Sequence, residues 1–368
     1  MTASAPLTTA FGLAPTWLRG HAWRRPGSGV EELFAGGAVA DAVRAADAAG
    51  FDLAFRPDAL AVDPVRAATA PDRLGLDPVV QAASLAAATT RIRFVPTVSA
   101  TFAEPFDAAR RLVSLEQLTG GRVGWNIVTS LDGDGNFHTP RTADSEGRWR
   151  RAAEFVDVVE ALRASFPADA VVADREAGVF VDPERMRPID HEGEFFRVAG
   201  PLPTPSVQPG RLPLLQAGAS PAGLAFAAER ADYVFTAAPD ADAAVAERSR
   251  LRELATAAGR AGAVRVLAGL SLVLAESRRD AVEAARGIRS PFDGARRRER
   301  LASAAPPELH WSVVGTPDDA AASIAERVEA GAIDGFVAFP GDTTSVRLVC
   351  ERVMPLLAAR GLVAPAAD

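Results

Sequence analysis

Gly120-Gly-Arg-Val-Gly-Trp-Asn-Ile-Val-Thr-Ser130, with Arg148-Trp-Arg-Arg-Ala-Ala-Glu-Phe-Val156 a short way on, is the stretch whose reading decides the fold. The paired glycines stop a helix, because glycine enters the left-handed conformation of helix ends without steric cost. Val123 to Thr129 follows with β-branched and aromatic residues, the composition of a strand. Alternation puts Gly124, Asn126 and Val128 on one face, and Trp125, Ile127 and Thr129 on the other. A glycine, an amide and a valine in line leave room for a flat ligand and a group to grip it. An ordinary buried strand, with Asn126 satisfying a neighbouring backbone group, carries the same pattern.

Outward from this stretch, strand-like and helix-like segments alternate, the sign of a parallel sheet with crossover helices. Strands are expected over 7–13, 51–55, 92–98, 123–129, 212–217, 233–237, 264–275 and 335–339. Helices are expected over about 38–49, 78–89, 106–118, 147–165, 221–230, 241–258, 279–286 and 345–360. Eight strand–helix units make a (β/α)8 TIM barrel the economical answer, with residues 1–368 as one domain. Two segments break the rhythm and are expected at the C-terminal rim. Residues 167–211 are proline-rich and contain His191-Glu-Gly-Glu-Phe-Phe-Arg-Val198, which reads as a hairpin or lid. Residues 288–312 form a second excursion before the eighth strand.

Composition narrows the function. The 368-residue chain is 48% hydrophobic and can bury a large core. A net charge of −7 argues against nucleic acid as a partner, since phosphate neutralisation needs a basic surface. A single cysteine, Cys350, rules out an intrachain disulfide and reads as buried filler. The N-terminal residues lack the pattern of a secretory signal, and no apolar run is long enough to span a bilayer, so a cytoplasmic protein is expected. The four histidines, His21, His138, His191 and His310, have no metal-ligand spacing, and no metal is expected. Gly36-Gly37 and Gly269 are too isolated to cradle a pyrophosphate.

Active sites of such barrels gather where the strands end. The polar residues falling there are Asp58, Thr97, Ser99, Asn126, Ser130 and Ser220. Gly218-Ala-Ser-Pro221 joins a strand to a helix, with Ser220 as N-cap and Pro221 as first helical residue. Free N–H groups and the positive end of the helix dipole make that turn a cup for phosphate, although a capped helix without ligand has the same sequence.

Several colinear pieces resemble one family. They are Ala22-Trp-Arg-Arg-Pro26, Ala48-Ala-Gly-Phe-Asp-Leu-Ala-Phe55, Thr101-Phe-Ala-Glu-Pro-Phe106, Leu214-Leu-Gln-Ala-Gly218, Ala231-Asp-Tyr-Val-Phe-Thr236, Val314-Gly-Thr-Pro317 and Gly331-Ala-Ile-Asp-Gly-Phe336, beside the opening stretch. Together they look like the branch of the bacterial-luciferase superfamily that holds nitrilotriacetate monooxygenase, dibenzothiophene-sulfone monooxygenase and a pristinamycin synthase subunit. That resemblance implies reduced FMN supplied by a separate flavin reductase. It further implies transfer of one oxygen atom from O2, via a flavin C4a-peroxide, to a small organic substrate. Dimers or higher homo-oligomers are usual for the family.

Matched residue by residue, Asp58, Thr97, Asn126 and Ser220 fall on flavin-side positions. Within Asn136-Phe-His-Thr-Pro-Arg-Thr-Ala-Asp-Ser-Glu-Gly-Arg-Trp149, Ser145 replaces a flavin-side histidine and Trp149 a tyrosine that reaches the phosphate. Ala219 stands where a second serine is common, and His138 where the family has glycine. His310 matches a family histidine, and His310 or His21 is the expected proton-handling group. Two rivals keep the fold: an oxidoreductase using the deazaflavin F420, and a flavin-binding paralogue without turnover, suggested by the changes at Ser145 and Ala219.

Overall fold

The structure is a computed structural model that describes residues 5–366, apart from 19, 70, 72–73, 131–132, 138–143, 219, 238–239 and 290–309. His138, Ala219 and most of the expected excursion 288–312 therefore lie outside the described residues. Strands β1 (Thr8–Gly12), β2 (Leu53–Arg56), β3 (Arg93–Ser99), β4 (Trp125–Val128), β5 (Leu214–Ala217), β6 (Tyr233–Thr236), β7 (Arg265–Leu274) and β8 (Gly335–Pro340) all run parallel. β1 pairs with both β2 and β8, and β7 with both β6 and β8, so the ladder closes into the expected barrel. Ala10, Leu53, Phe55, Val95, Leu215, Leu267, Val337 and Phe339 pack inside it.

Helices α1 (Gly37–Ala48), α2 (Pro78–Ala86), α3 (Pro105–Thr119), α4 (Ser145–Ala164), α5 (Pro221–Arg230), α6 (Ala241–Ala257), α7 (Arg278–Arg289), α8 (Pro317–Glu329) and α9 (Thr343–Leu348) lie around the strands. Among the described residues no helix is long and apolar enough to cross a membrane. α3 begins at Pro105 and ends at Gly120, whose φ of 62° is the left-handed stop expected there. Trp125 and Ile127 of β4 turn outward and are wholly buried, while Asn126 and Val128 turn toward the barrel interior. Gly124 has a different reason from the expected room for a ligand. A Cβ there would sit 2.7 Å from the carbonyl oxygen of Pro213, so the glycine serves the close approach of the segment entering β5.

Three departures from the expected elements have physical causes. The strand Trp311–Gly315 and α8 after it were not anticipated. β7 is ten residues long: its first half pairs with β6, and its second half, from Leu270, outruns β6 and takes Trp311–Gly315 as partner. α4 starts two residues early because Asp144 accepts a hydrogen bond from the Gly147 N–H at 2.6 Å, which makes Ser145 its first residue. The expected final helix 345–360 contains a π turn over Val349–Val353, just before Pro355, which has no N–H to continue an α ladder.

The segment 167–211 holds two short antiparallel pairs, one of them the anticipated hairpin, with His191 opposite Val198. That hairpin clamps on Glu154 of α4, which is 3.0 Å from His191 Nε2 and accepts from the N–H groups of Phe195 and Phe196. Below it, the buried pair Arg163–Glu116 also binds the backbone of Gln208. The segment is thus strapped along the outside of α3 and α4, and its residues line neither cavity described below.

Glu160, on α4 beside this strap, accepts from the Leu212 N–H. Burial pushes its carboxyl up to about 7, although Arg163 pulls the other way. A carboxyl whose pKa is higher folded than unfolded stabilises the fold at low pH, and loses that contribution as pH rises through the folded value. Glu160→Gln keeps the acceptor without the charge. Urea unfolding should show it gaining stability over the parent from about pH 5 to about pH 8, with no such drift expected if the carboxyl titrated normally.

Candidate active site

Two cavities open where the strands end. The larger, about 570 Å³, is lined by residues of β3, β4 and β5, by Asp58 and Leu60 just after β2, by the first turn of α4 and by the N-cap of α5. The smaller, about 270 Å³, lies toward the barrel interior. Asp58, Thr97, Val128 and Ala217 border both, so the two form one continuous site.

At the inner end a hydrogen-bond relay crosses three strands. The Thr97 hydroxyl donates to the Arg56 carbonyl at 2.7 Å, so its oxygen is left to accept from Asn126 Nδ2 at 2.9 Å. This fixes the amide's orientation. Asn126 Oδ1 then faces the site, buried and with no protein donor. Leaving a buried acceptor unpaired costs about 1–3 kcal/mol, which a ligand N–H would recover.

The outer end is built for an anion. Ser220 caps α5 by accepting from the Gly223 N–H at 3.1 Å, which leaves its own proton free to donate. Gly218 holds the strand-to-helix turn at φ 137°, a conformation other residues rarely adopt. Ser145 opens the 20-residue α4, so two helix N-termini with unsatisfied N–H groups converge here. Arg148, on the same face of α4 one turn later, lines the cavity with its Nε buried and without a hydrogen-bond partner. Trp149 lies against Phe226, ring centres 4.8 Å apart, and walls the turn from behind. Beneath the turn, wholly buried Gln216 donates to the Gly218 carbonyl at 3.2 Å.

Aromatic rings and one carboxyl shape the inner chamber. His310 is 5.6 Å from Phe339 in a stacked pair and 5.6 Å from Phe235 edge-on. Asp58 faces open space in the cavity mouth, yet the surrounding protein desolvates it and Asp77 adds like charge, so its carboxyl sits above the ordinary range. Asp58 and His310 are the titratable side chains that border the inner chamber.

Asp58, Thr97, Asn126, Ser145, Trp149, Ser220 and His310 thus meet at one site. Ser99 and Ser130 line it too, joined by a 2.8 Å hydrogen bond. His21 does not: its backbone N–H is tied to the Ile288 carbonyl, and it borders neither cavity. Sequence reasoning passed over Arg148 and Gln216. Their signals were an arginine three residues after a helix start, and an amide inside an apolar strand.

The relay has a thermodynamic consequence. Thr97→Val removes the acceptor of Asn126 Nδ2 and the donor to Arg56 at once, and should cost about 1–3 kcal/mol in urea unfolding. Thr97→Ser, which retains the hydroxyl, should recover most of that loss.

Comparison with known proteins extends this picture. A dibenzothiophene-sulfone monooxygenase of Rhodococcus erythropolis is 39% identical over 220 residues, which cover 57% of this chain and 49% of that one. The match therefore spans about half the length of that relative. An N-acetyl-S-(2-succino)cysteine monooxygenase of Bacillus subtilis (strain 168) is 27% identical over 95% of this chain and 91% of its own. The crystal structure of a riboflavin lyase with modified FMN and riboflavin superposes with a TM-score of 0.83 at 26% identity, covering 99% of this chain and 94% of that one. The profile of the luciferase-like monooxygenases matches residues 17–334, and the chain belongs to that family.

Proposed function

We propose that the protein is a flavin-dependent monooxygenase of the two-component kind, taking reduced FMN from a separate reductase and oxidising a small organic substrate with O2. The observation that carries this reading is the polarity of one continuous site. An unpartnered buried amide oxygen, Asn126 Oδ1, stands at one end, and Arg148 with two helix N-termini at the other. That donor set fits a molecule with a flat ring bearing an N–H at one end and a phosphate at the other.

Ser145, Arg148, Ser220 and the first-turn amides of α4 and α5 would hold the phosphate, with Trp149 as the wall behind. The departures at Ser145 and Trp149 leave that end with hydroxyl and guanidinium donors. Asn126 would accept from the ring N–H, with Thr97 keeping the amide oriented, and Asp58 would border the ring. Bound in reduced form, FMN supplies the two electrons that let one oxygen atom enter the substrate while the other leaves as water. His310, held between Phe235 and Phe339, would exchange a proton with the reacting oxygen or the substrate. The apolar chamber excludes water around it. A homodimer or larger assembly is part of the same proposal, by analogy with the family.

Fluorescence titration tests the phosphate end. Arg148→Ala should weaken FMN about 10- to 100-fold, the worth of one charge-assisted hydrogen bond, while riboflavin, which lacks the phosphate, changes little. Equal loss for both flavins would overturn the assignment. With a reductase and oxygen present, His310→Ala should bind FMN normally yet divert oxygen to hydrogen peroxide. Unchanged coupling would remove His310 from the proposal.

A further inference from the structure

A further cavity, of about 480 Å³, lies outside the barrel and shares no lining residue with the two at its mouth. It sits between the segment after β1, the flank of α1, and α9 with the π turn that follows. Its volume is within the roughly 300–1,000 Å³ of pockets for small molecules. Trp17, Ala42, Ala45, Val346 and Cys350 give it an apolar floor. Cys350 is 5% exposed, yet among the described residues its thiol has no hydrogen-bond partner. It lines the cavity from the π turn Val349–Val353, a widened coil of the kind that recurs at functional sites. A buried S–H that lines a cavity and bonds to no described group is a donor left for an occupant.

The rim is acidic. Glu31, Glu32, Asp41 and Glu351 line the cavity against one cation, Arg347. Arg347 is already engaged, bonding Glu351 at 3.0 Å and lying 3.5 Å from Glu276. Asp41 pairs with Arg44 at 2.8 Å. Glu32 leans on the first turn of α1, where a Cβ on Gly37 would overlap its Oε2, so the helix dipole offsets that charge. Glu31 has no ion-pair partner among the described residues. Among those residues no three acidic, histidine or cysteine side chains converge closely enough to hold a metal, so the rim suits an organic cation. Trp17 strengthens the match, since indole attracts cations more strongly than the other aromatic rings.

We infer that this cavity binds a small organic ammonium ion, with its apolar body on the floor of Trp17 and Val346 and its charge at Glu31. The inference is independent of the flavin reading, because the cavity is separate from the barrel mouth. An organic anion of the same size would meet a net negative rim, and a neutral isostere would forgo the charge contact. The cavity joins the segment after β1 to α9, so an occupant ties together the two ends of the barrel domain.

Isothermal titration calorimetry of the full chain tests this with probes of one size: phenethylammonium, 2-phenylethanol and phenylacetate. Saturable binding of phenethylammonium is expected, with a dissociation constant below about 1 mM. The alcohol should bind at least about tenfold more weakly, and phenylacetate more weakly still. Glu31→Gln, at an exposed side chain, should weaken the ammonium about two- to fivefold, the range of an exposed ion pair. Ala42→Leu, which fills the floor, should weaken it at least about tenfold. If Ala42→Leu does not fold, the Glu31→Gln result decides alone. Absence of saturable ammonium binding, or equal binding of the alcohol or phenylacetate, would overturn the inference. So would an affinity unmoved by the substitutions, which would place the cation elsewhere, as at Asp58.

Discussion

β1 is hydrogen bonded to β2 on one side and β8 on the other, and this closure is the constraint behind the rest of the molecule. A closed parallel ladder brings every strand to its carboxyl end on the same rim, and each following helix starts there with unsatisfied N–H groups outward. Asp58, Thr97, Asn126 and Ser220 come from widely separated parts of the chain and still meet. Polar side chains that would be expensive in the barrel core become usable at its mouth. The tightly packed layer beneath, from Ala10 to Phe339, gives them a rigid floor.

The site's electrostatics follow from the same geometry. In a chain with a net charge of −7, positive potential is concentrated by two helix starts and one arginine at a single end of the cavity. Negative charge enters through Asp58, which borders both cavities. A ligand with one anionic end is therefore oriented as well as bound. On the proposed reading, orientation matters because the reacting atom has to face the apolar chamber and not the solvent.

Much of this was legible in the residues. Gly120 as helix stop and Ser220-Pro221 as a helix start depend on local backbone chemistry, and both stand as read. The inward turn of Asn126 followed from strand alternation. Arg148 was harder, because its value comes from a cap at Asp144 that starts the helix early and turns the guanidinium inward. The strand Trp311–Gly315 was hidden because it exists to complete the upper half of β7, a tertiary cause with no local signature. A strand-period argument could not distinguish His21 from His310 either, since neither lies within a strand. The strap at 167–211 read as a possible cover because long loops often are; its buried anchors Glu116 and Arg163 look like ordinary helix-surface charges until their partners are known.

His310 immediately precedes Trp311, which is locked opposite Leu270 in the upper ladder of β7. The imidazole is therefore placed by strand pairing. Insertions or deletions upstream can vary freely as long as that register holds, whereas a slip of one rung would swing the ring to the opposite face of the sheet. Change in this part of the chain is thus free to reshape the approach to the cavity while the imidazole stays put.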